Sequence, residues 1–481
     1  MHQFYVILVL IAQAVCQISA ERRPNIIMVL ADDLGYCESE PYACHIPEGH
    51  DQPRMSTPNL VRFAQEGLKF TNSYSGAPIC ASSRCTLMTG LHNGHSRIRG
   101  NKQLDGGDWP LEPTDITVAD VLKSAGYYTA LVGKWGLGNL GTTGWVRDHG
   151  FDYYYGITDQ NIIHNYYPDY VMENETQIPL PLNRGASRQR CMSQPQTCNY
   201  SHDLFTNRAF ELIKNRVESY PEQPFFLYLA WTLPHAGGWR GIIEDGEPVP
   251  NNQPFDNTTW PTVEQDHAAM ISSYLDRDFG RLMALLDELG IDDDTLVWFA
   301  SDNGAHNEGG HSYQFFNSTG PLRGFKRSLY EGGMRTPQII RWPKKIAPNT
   351  QTDLITTFAD FLPTVAELAA VQHLSDTFDG ISIVPTLMNN SAAQVQHLYI
   401  YFEFCTNFEW GNAVRFQQWK LVRFSIHEPY QLYDLDNDIG ETHDLSQKHS
   451  EVVSLLTSFA ILAHTDSEPF PIQNCSNSFL H

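Results

Sequence analysis

Positive charge is scarce in this chain: 32 lysines and arginines stand against 55 aspartates and glutamates in 481 residues, a formal charge of -23. So acidic a surface repels polyphosphate at neutral pH, which argues against nucleic acid or an anionic membrane as partner. Long apolar runs are also missing. No stretch reaches the ~18 residues that cross a bilayer, so no membrane span is expected. Internal repeats and low-complexity tracts are absent, which excludes a solenoid. Charged residues make up 18% and hydrophobic ones 42%, too apolar for disorder and sufficient for a large buried core. The length suits one large domain with a smaller companion.

The apolar run that does occur, residues 4–15, precedes Ile18-Ser19-Ala20 and then the charged Glu21-Arg22-Arg23. This reads as a signal peptide over residues 1–20, cleaved after Ala20. Cys16 leaves with it, and the mature chain keeps Cys37, Cys44, Cys80, Cys85, Cys191, Cys198, Cys405 and Cys475. The 37/44 and 191/198 spacings suit small disulfide loops in an oxidising compartment, although spacing alone leaves the pairing open. Glycosylation sequons stand at Asn174, Asn257, Asn317, Asn389 and Asn474. Together these features predict a secreted or lysosomal glycoprotein.

Residues 24–31 form an unbroken apolar run, as in a strand buried on both faces. Similar strands are expected at 127–132, 225–232 and 296–300. Helices are expected at 57–67, 118–124, 267–289 and 354–370, the last kinked by Pro363. This alternation predicts an α/β fold with a large, mostly parallel sheet sandwiched by helices. After residue 381, short aromatic segments at 399–404, 413–416, 420–424 and 431–433 predict a smaller antiparallel sheet. The expected organisation is a catalytic unit over 21–380 and a C-terminal subdomain over 381–481, with a loop-like tail from Asp466.

Four of the apolar runs end in residues able to do chemistry: Asp32-Asp33, Lys134, His235 and Asp302-Asn303. Ligands of α/β sheets bind beyond the carboxyl ends of the strands, where these residues would converge. Asp32, Asp33, Asp302 and Asn303 offer hard oxygen atoms suited to Ca²⁺ or Mg²⁺. No second, histidine-rich metal set accompanies them, which disfavours a two-metal phosphoesterase. In the run 78–90, Cys80 is placed near a helix N-terminus with Arg84 on its face. A thiol there is either reactive or, like Cys85, a core or disulfide cysteine.

The run Cys80-Ala81-Ser82-Ser83-Arg84, closing in Thr89-Gly90, resembles the signature of the type I, formylglycine-dependent sulfatases, arylsulfatase-like members of the alkaline-phosphatase-like superfamily. Supporting segments in order are Pro24-Asn25-Ile26 through Gly35, Thr57-Pro58-Asn59-Leu60, Gly133-Lys134-Trp135, Pro234-His235, Ser301-Asp302-Asn303-Gly304, Gly324-Phe325-Lys326, Glu331-Gly332-Gly333 and Leu432-Tyr433-Asp434. The resemblance implies hydrolysis of aryl or carbohydrate sulfates. Cys80 would be oxidised to 3-oxoalanine (formylglycine) by a formylglycine-generating enzyme, and its hydrate would attack sulfur. Asp32, Asp33, Asp302 and Asn303, with side chain 80, would hold one Ca²⁺. Arg84 would steady the nucleophile, while Lys134, His235 and Lys326 would contact the sulfate and its leaving oxygen.

Three departures stand out. Ser82 replaces the family's proline or alanine, within the stretch that the modifying enzyme reads. Gly136 replaces the usual histidine of the lysine loop, removing a general base; His164, His306 and His311 are candidates to supply it. Residues 36–52 form a polar, cysteine-bearing loop near the expected substrate entrance. Ser82 and Gly136 also motivate the alternative expectation of a catalytically impaired relative that binds sulfated glycans.

Overall fold

The computed structural model describes residues 22–42, 44, 55–101, 107–185, 188–237, 246–371, 377–406, 409–473 and 475. The expected signal peptide, the sequon at Asn474 and residues 45–52 of the polar loop lie outside them.

In chain order the first strands are β1 (Asn25–Asp32), β2 (Leu68–Phe70), β3 (Ser73–Tyr74), β4 (Tyr128–Lys134), β5 (Tyr153–Ile157) and β6 (Tyr170–Glu173). They are followed by β7 (Thr176–Pro179), β8 (Phe225–Pro234), β9 (Thr295–Ser301), β10 (Gln338–Arg341), β11 (Thr350–Thr352) and β12 (Thr356–Thr357). Ten of these form one mixed sheet in the order β11-β2-β10-β9-β1-β8-β4-β5-β6-β7. Its centre is parallel: β1 pairs with β8 and β9, and β4 with β8 and β5.

The apolar run of β1 is buried on both faces because its period-two side chains feed two cores. Ile27, Val29 and Ala31 pack with the helices Ser201–Ser219 and Arg277–Glu288. Ile26, Met28 and Leu30 pack with Cys80–Thr89, Val118–Ser124 and Phe361–Leu368. The parallel register aligns Asp32 with Pro234 and Ala31 with Ser301. The chemistry-bearing strand ends therefore finish at one edge of the sheet.

The helix expected at 354–370 begins later than its hydrophobicity suggests. Residues 356–357 pair with β3, a 3-10 turn covers Phe358–Asp360, and the helix proper is Phe361–Leu368. Pro363 sits in its first turn, where the missing N–H has no intrahelical role, so no kink follows. The helix expected at 267–289 starts earlier, at Thr262, and carries a π-helical segment over Met270–Asp276.

Four further strands, β13 (Ile400–Thr406), β14 (Glu409–Phe416), β15 (Trp419–Arg423) and β16 (Gln431–Asp434), form the antiparallel C-terminal sheet. One face packs on Tyr74, Leu329 and Met334 of the larger part, the other on a helix, Ser450–Ala463, absent from the sequence reading. Three disulfides join Cys37–Cys44, Cys191–Cys198 and Cys405–Cys475. They indicate folding in an oxidising, secretory-pathway environment. Among the described residues, no helix is long and apolar enough to cross a membrane.

The described part of the polar loop is anchored rather than free. Glu38 is buried, and its carboxylate accepts from the Gly35 N–H at 2.6 Å and pairs with His267 Nε2 at 2.9 Å. On its other side His267 Nδ1 meets Glu247 at 2.8 Å. Burial alone would lower His267, but Glu247 and Glu38 outweigh it and lift it to about 10. A raised histidine stabilises the fold fully below its unfolded value of ~6.5 and loses that contribution as pH rises through its folded value. H267L strands two buried carboxylates and is expected to cost about 3–5 kcal/mol. Thermal melts of wild type and variant check this: their difference should be full at pH 6 and shrink on the approach to pH 10.

Candidate active site

In a regular strand, Asp32 and Asp33 would point to opposite faces. Asp33 instead takes a left-handed φ of 67°, which swings both carboxylates into one pocket at the end of β1. Cys80 opens the buried helix Cys80–Thr89, and its Sγ lies 3.4 Å from Asp32 Oδ1 and 3.9 Å from Asp33 Oδ1. Burial pushes its thiol pKa well up. Cys80 and Cys85 are both free, so neither is a disulfide cysteine.

Asp302 and Asn303 follow β9 on the other side of β1. Asp302 Oδ1 accepts from the Asp33 N–H at 3.0 Å, and Asn303 Nδ2 donates to Asp33 Oδ1 at 2.7 Å. Arg84 is fully buried, donating through Nε (3.0 Å) and Nη2 (2.8 Å) to Asp302 Oδ2, with Tyr228 OH 3.2 Å from Nη1. Its Nη2 also lies 3.4 Å from Asp32 Oδ2, so it braces two of the pocket's carboxylates.

The two lysines bracket the cysteine. Lys134 ends β4 after Gly133, which has φ 113° and whose Cβ would meet Ala230 O at 2.0 Å, so only glycine lets the strands approach. Lys134 Nζ lies 2.8 Å from Asp32 Oδ2 and 3.1 Å from His164 Nε2. Lys326 Nζ lies 2.7 Å from Asp33 Oδ2, 3.0 Å from His235 Nε2 and 3.0 Å from Glu308 Oε2. Burial, and then the charge of Lys326, push His235 down to about 3. Burial alone would lower Lys326, but Asp33 and Glu308 keep it raised. The proton of this pair therefore rests on the lysine.

All the residues singled out in the sequence meet here: Asp32, Asp33, Cys80, Arg84, Lys134, His235, Asp302, Asn303 and Lys326. Of the three candidate histidines only His164 reaches the pocket. His306 lies behind His235, ring centres 6.2 Å apart, with Nε2 3.1 Å from Pro234 O. His311 is tied to Glu264 at 2.6 Å. Glu308, which also pairs with Arg327, was not singled out. Its Glu-Gly-Gly loop carries no pattern that separates it from a surface turn.

The donor set fits a hard divalent cation. Asp32, Asp33 and Asp302 are buried carboxylates, and Asn303 Oδ1 is buried without a hydrogen-bond partner. Burial, joined by the neighbouring Asp32 charge, pushes Asp33 up to about 6 and Asp302 to about 7. Burial would raise Asp32 as well, but Lys134 and Arg84 hold it well below the usual range. Such frustration is relieved by a cation.

A hard-oxygen metal set facing a buried cysteine, with two lysines at hand for an anionic group, defines a hydrolase of anionic esters. The sulfatase family model matches residues 24–371, and the C-terminal model of N-sulphoglucosamine sulphohydrolase matches residues 324–459. The chain belongs to the sulfatase family. It is 30% identical to arylsulfatase A of Homo sapiens over 89% of this chain and 84% of that one. It is 26% identical to steryl-sulfatase of Mus musculus over 94% and 84%. N-acetylgalactosamine-6-sulfatase of Mus musculus is 30% identical over 79% of this chain and 69% of that one. Among solved structures, Ps i-CgsB in complex with k-i-k-neocarrahexaose shares the fold with a TM-score of 0.76, at 24% identity over 92% and 93% of the chains.

Proposed function

We propose that this chain hydrolyses sulfate esters to an alcohol and inorganic sulfate, using Cys80 after its conversion to formylglycine. The observation that carries this reading is the approach of Cys80 Sγ to Asp32 and Asp33 at 3.4 and 3.9 Å, with Lys134 and Lys326 bonded to those same carboxylates. Asp32, Asp33, Asp302 and Asn303, with side chain 80, would hold Ca²⁺. When bound, the cation supplies fixed positive charge for a sulfate oxygen, and the aldehyde hydrate supplies a hydroxyl nucleophile.

The chain's own residues do the rest. Lys134 holds a peripheral sulfate oxygen and Lys326 adds its charge nearby; both charges are already in place, so little reorganisation accompanies the transition state. Lys326, with His235 at its Nζ, stands ready to deliver a proton to the leaving oxygen. Arg84 fixes Asp302, and Asn303 fixes Asp33. Ser82 lies in the first turn of its helix, where N–H groups have no intrahelical partner, so the backbone there accepts serine as it would proline.

The substrate class we favour is sulfated carbohydrate. Supporting it are the names of similar proteins, an N-acetylgalactosamine-6-sulfatase and a neocarrahexaose complex among them. We further propose cleavage of a signal peptide after Ala20, glycosylation at described sequons, and an extracellular or lysosomal destination. The catalytic unit would be 21–380 and the C-terminal subdomain 381–481.

Two measurements on protein secreted from a eukaryotic host test the reading. Release of inorganic sulfate from a small aryl sulfate is expected, together with a Cys80 peptide lighter than the thiol form by roughly 18 Da. An intact thiol with no sulfate release would overturn it in favour of a sulfated-glycan-binding relative.

A further inference from the structure

The loop that usually carries a histidine has Gly136, with φ 78°. A Cβ there would touch the Gln160 side chain at 3.7–3.8 Å. Gln160 begins a short helix, Gln160–Ile163, and the next residue is His164. Its side chain enters the pocket from a different element. Its Nε2 lies 3.1 Å from Lys134 Nζ and 3.6 Å from Asp32 Oδ2. Its ring stacks on His235, centres 3.5 Å apart and planes 7° apart.

The pocket is therefore built as two parallel rows, Asp32–Lys134–His164 and Asp33–Lys326–His235. The rows differ in one respect. Lys326 spends its three N–H donors on Asp33, His235 and Glu308, whereas among the described residues Lys134 bonds to Asp32 and His164. An ammonium bonded at two of three positions has its third donor direction set by those two partners. His164 is itself held fast. Two residues on, Tyr166 OH donates to the carbonyls of Thr232 (2.7 Å) and His235 (2.5 Å), locking this loop to the end of β8.

We propose that His164 is a positioning residue for sulfate: its Nε2 and Asp32 together aim the remaining N–H of Lys134 at a sulfate oxygen, and its ring fixes the plane of His235. The inference rests on the functional reading above and goes beyond it by giving a role to His164.

The test uses H164L and H164Q in the full-length secreted chain. Leucine removes the acceptor, while the glutamine Oε1 restores one near the same place. Turnover of a small aryl sulfate is counted per formylglycine-bearing chain, and KM, thermal midpoint and the thermal shift on adding inorganic sulfate are recorded. H164L is expected to lose about 10²-fold in kcat, the scale of a misplaced catalytic group. Its thermal shift with sulfate should vanish, and H164Q should recover most of both. A kcat for H164L within about threefold of wild type overturns the inference. So does a loss that H164Q fails to mend while its midpoint matches wild type. If H164L does not fold, H164N replaces it; its shorter amide cannot reach Lys134, and behaviour equal to H164Q overturns the inference. If the wild type turns over no aryl sulfate, the functional reading fails and inorganic sulfate decides alone. A shift present in wild type and lost in H164L then sustains the inference, and an equal or absent shift overturns it.

Discussion

C80A is expected to lower sulfate release by about 10⁴-fold or more while leaving the fold intact, because it removes the nucleophile and nothing that positions the rest. Cys80 opens its helix through backbone contacts, with Ala81 N–H bonded to Asn101 Oδ1 at 3.0 Å, so the helix survives truncation of the side chain. Removing one buried sulfur should cost only about 1 kcal/mol. C80S separates the nucleophile from its chemistry. A serine hydroxyl can accept one sulfuryl group and release the alcohol, but it lacks the second oxygen that would expel sulfate. At most one equivalent of alcohol is therefore expected, with the sulfated chain visible by intact mass. Sustained turnover by either variant would show that side chain 80 is not the nucleophile.

The second large effect concerns cation removal. Without a cation, Asp33 and Asp302 carry pKa values of about 6 and about 7, both raised from the ordinary 3.8. A carboxylate raised in the folded state binds more protons folded than unfolded, so stability falls as pH rises from its unfolded value through its folded one. Chelated protein should thus be less stable at pH 8 than at pH 5.5. Ca²⁺ binding requires both carboxylates ionised, so apparent affinity should fall as pH is lowered, approaching roughly a hundredfold per unit once both are protonated. Titration calorimetry on chelated protein at several pH values checks this, with loss and recovery of aryl sulfate turnover in parallel. Affinity independent of pH between 5 and 8 would remove Asp33 and Asp302 from the ligand set.

Acidification brings less positive charge to the pocket than a count of 19 histidines suggests. Burial pushes His164 and His306 well down and His235 to about 3, so none of the three gains a proton in mildly acidic solution. The standing positive charge of the pocket is that of its lysines and Arg84.

Much of the fold was legible because its signals are local. An unbroken apolar run such as 24–31, cut short by Asp32-Asp33, reads as a doubly covered strand, and aromatic segments of a few residues separated by turns indicate a small antiparallel sheet. The errors are local too. Residues 354–357 look helical by hydrophobicity, yet Thr356 and Thr357 pair with Ser73 and Tyr74 as a strand. The helix Ser450–Ala463 has a weak amphipathic pattern, leaving Ile461 and Leu462 in solvent, and its docking on the C-terminal sheet stabilises it.

Residue type and order by themselves determined the α/β class and six side chains of the site, Asp32, Asp33, Lys134, His235, Asp302 and Asn303, because polar groups that end buried parallel strands share one edge of the sheet; the motif resemblance added the family, Cys80, Arg84 and Lys326. Only the tertiary structure decided which of three histidines completes the pocket, that Arg84 braces Asp302, and that Glu38, distant in sequence from His267, closes a buried ion cluster. Those outcomes depend on distances of about 3 Å between residues from separate elements. No periodicity or spacing along the chain encodes such distances; they are set when the packed helices and strand ends fix where each side chain points.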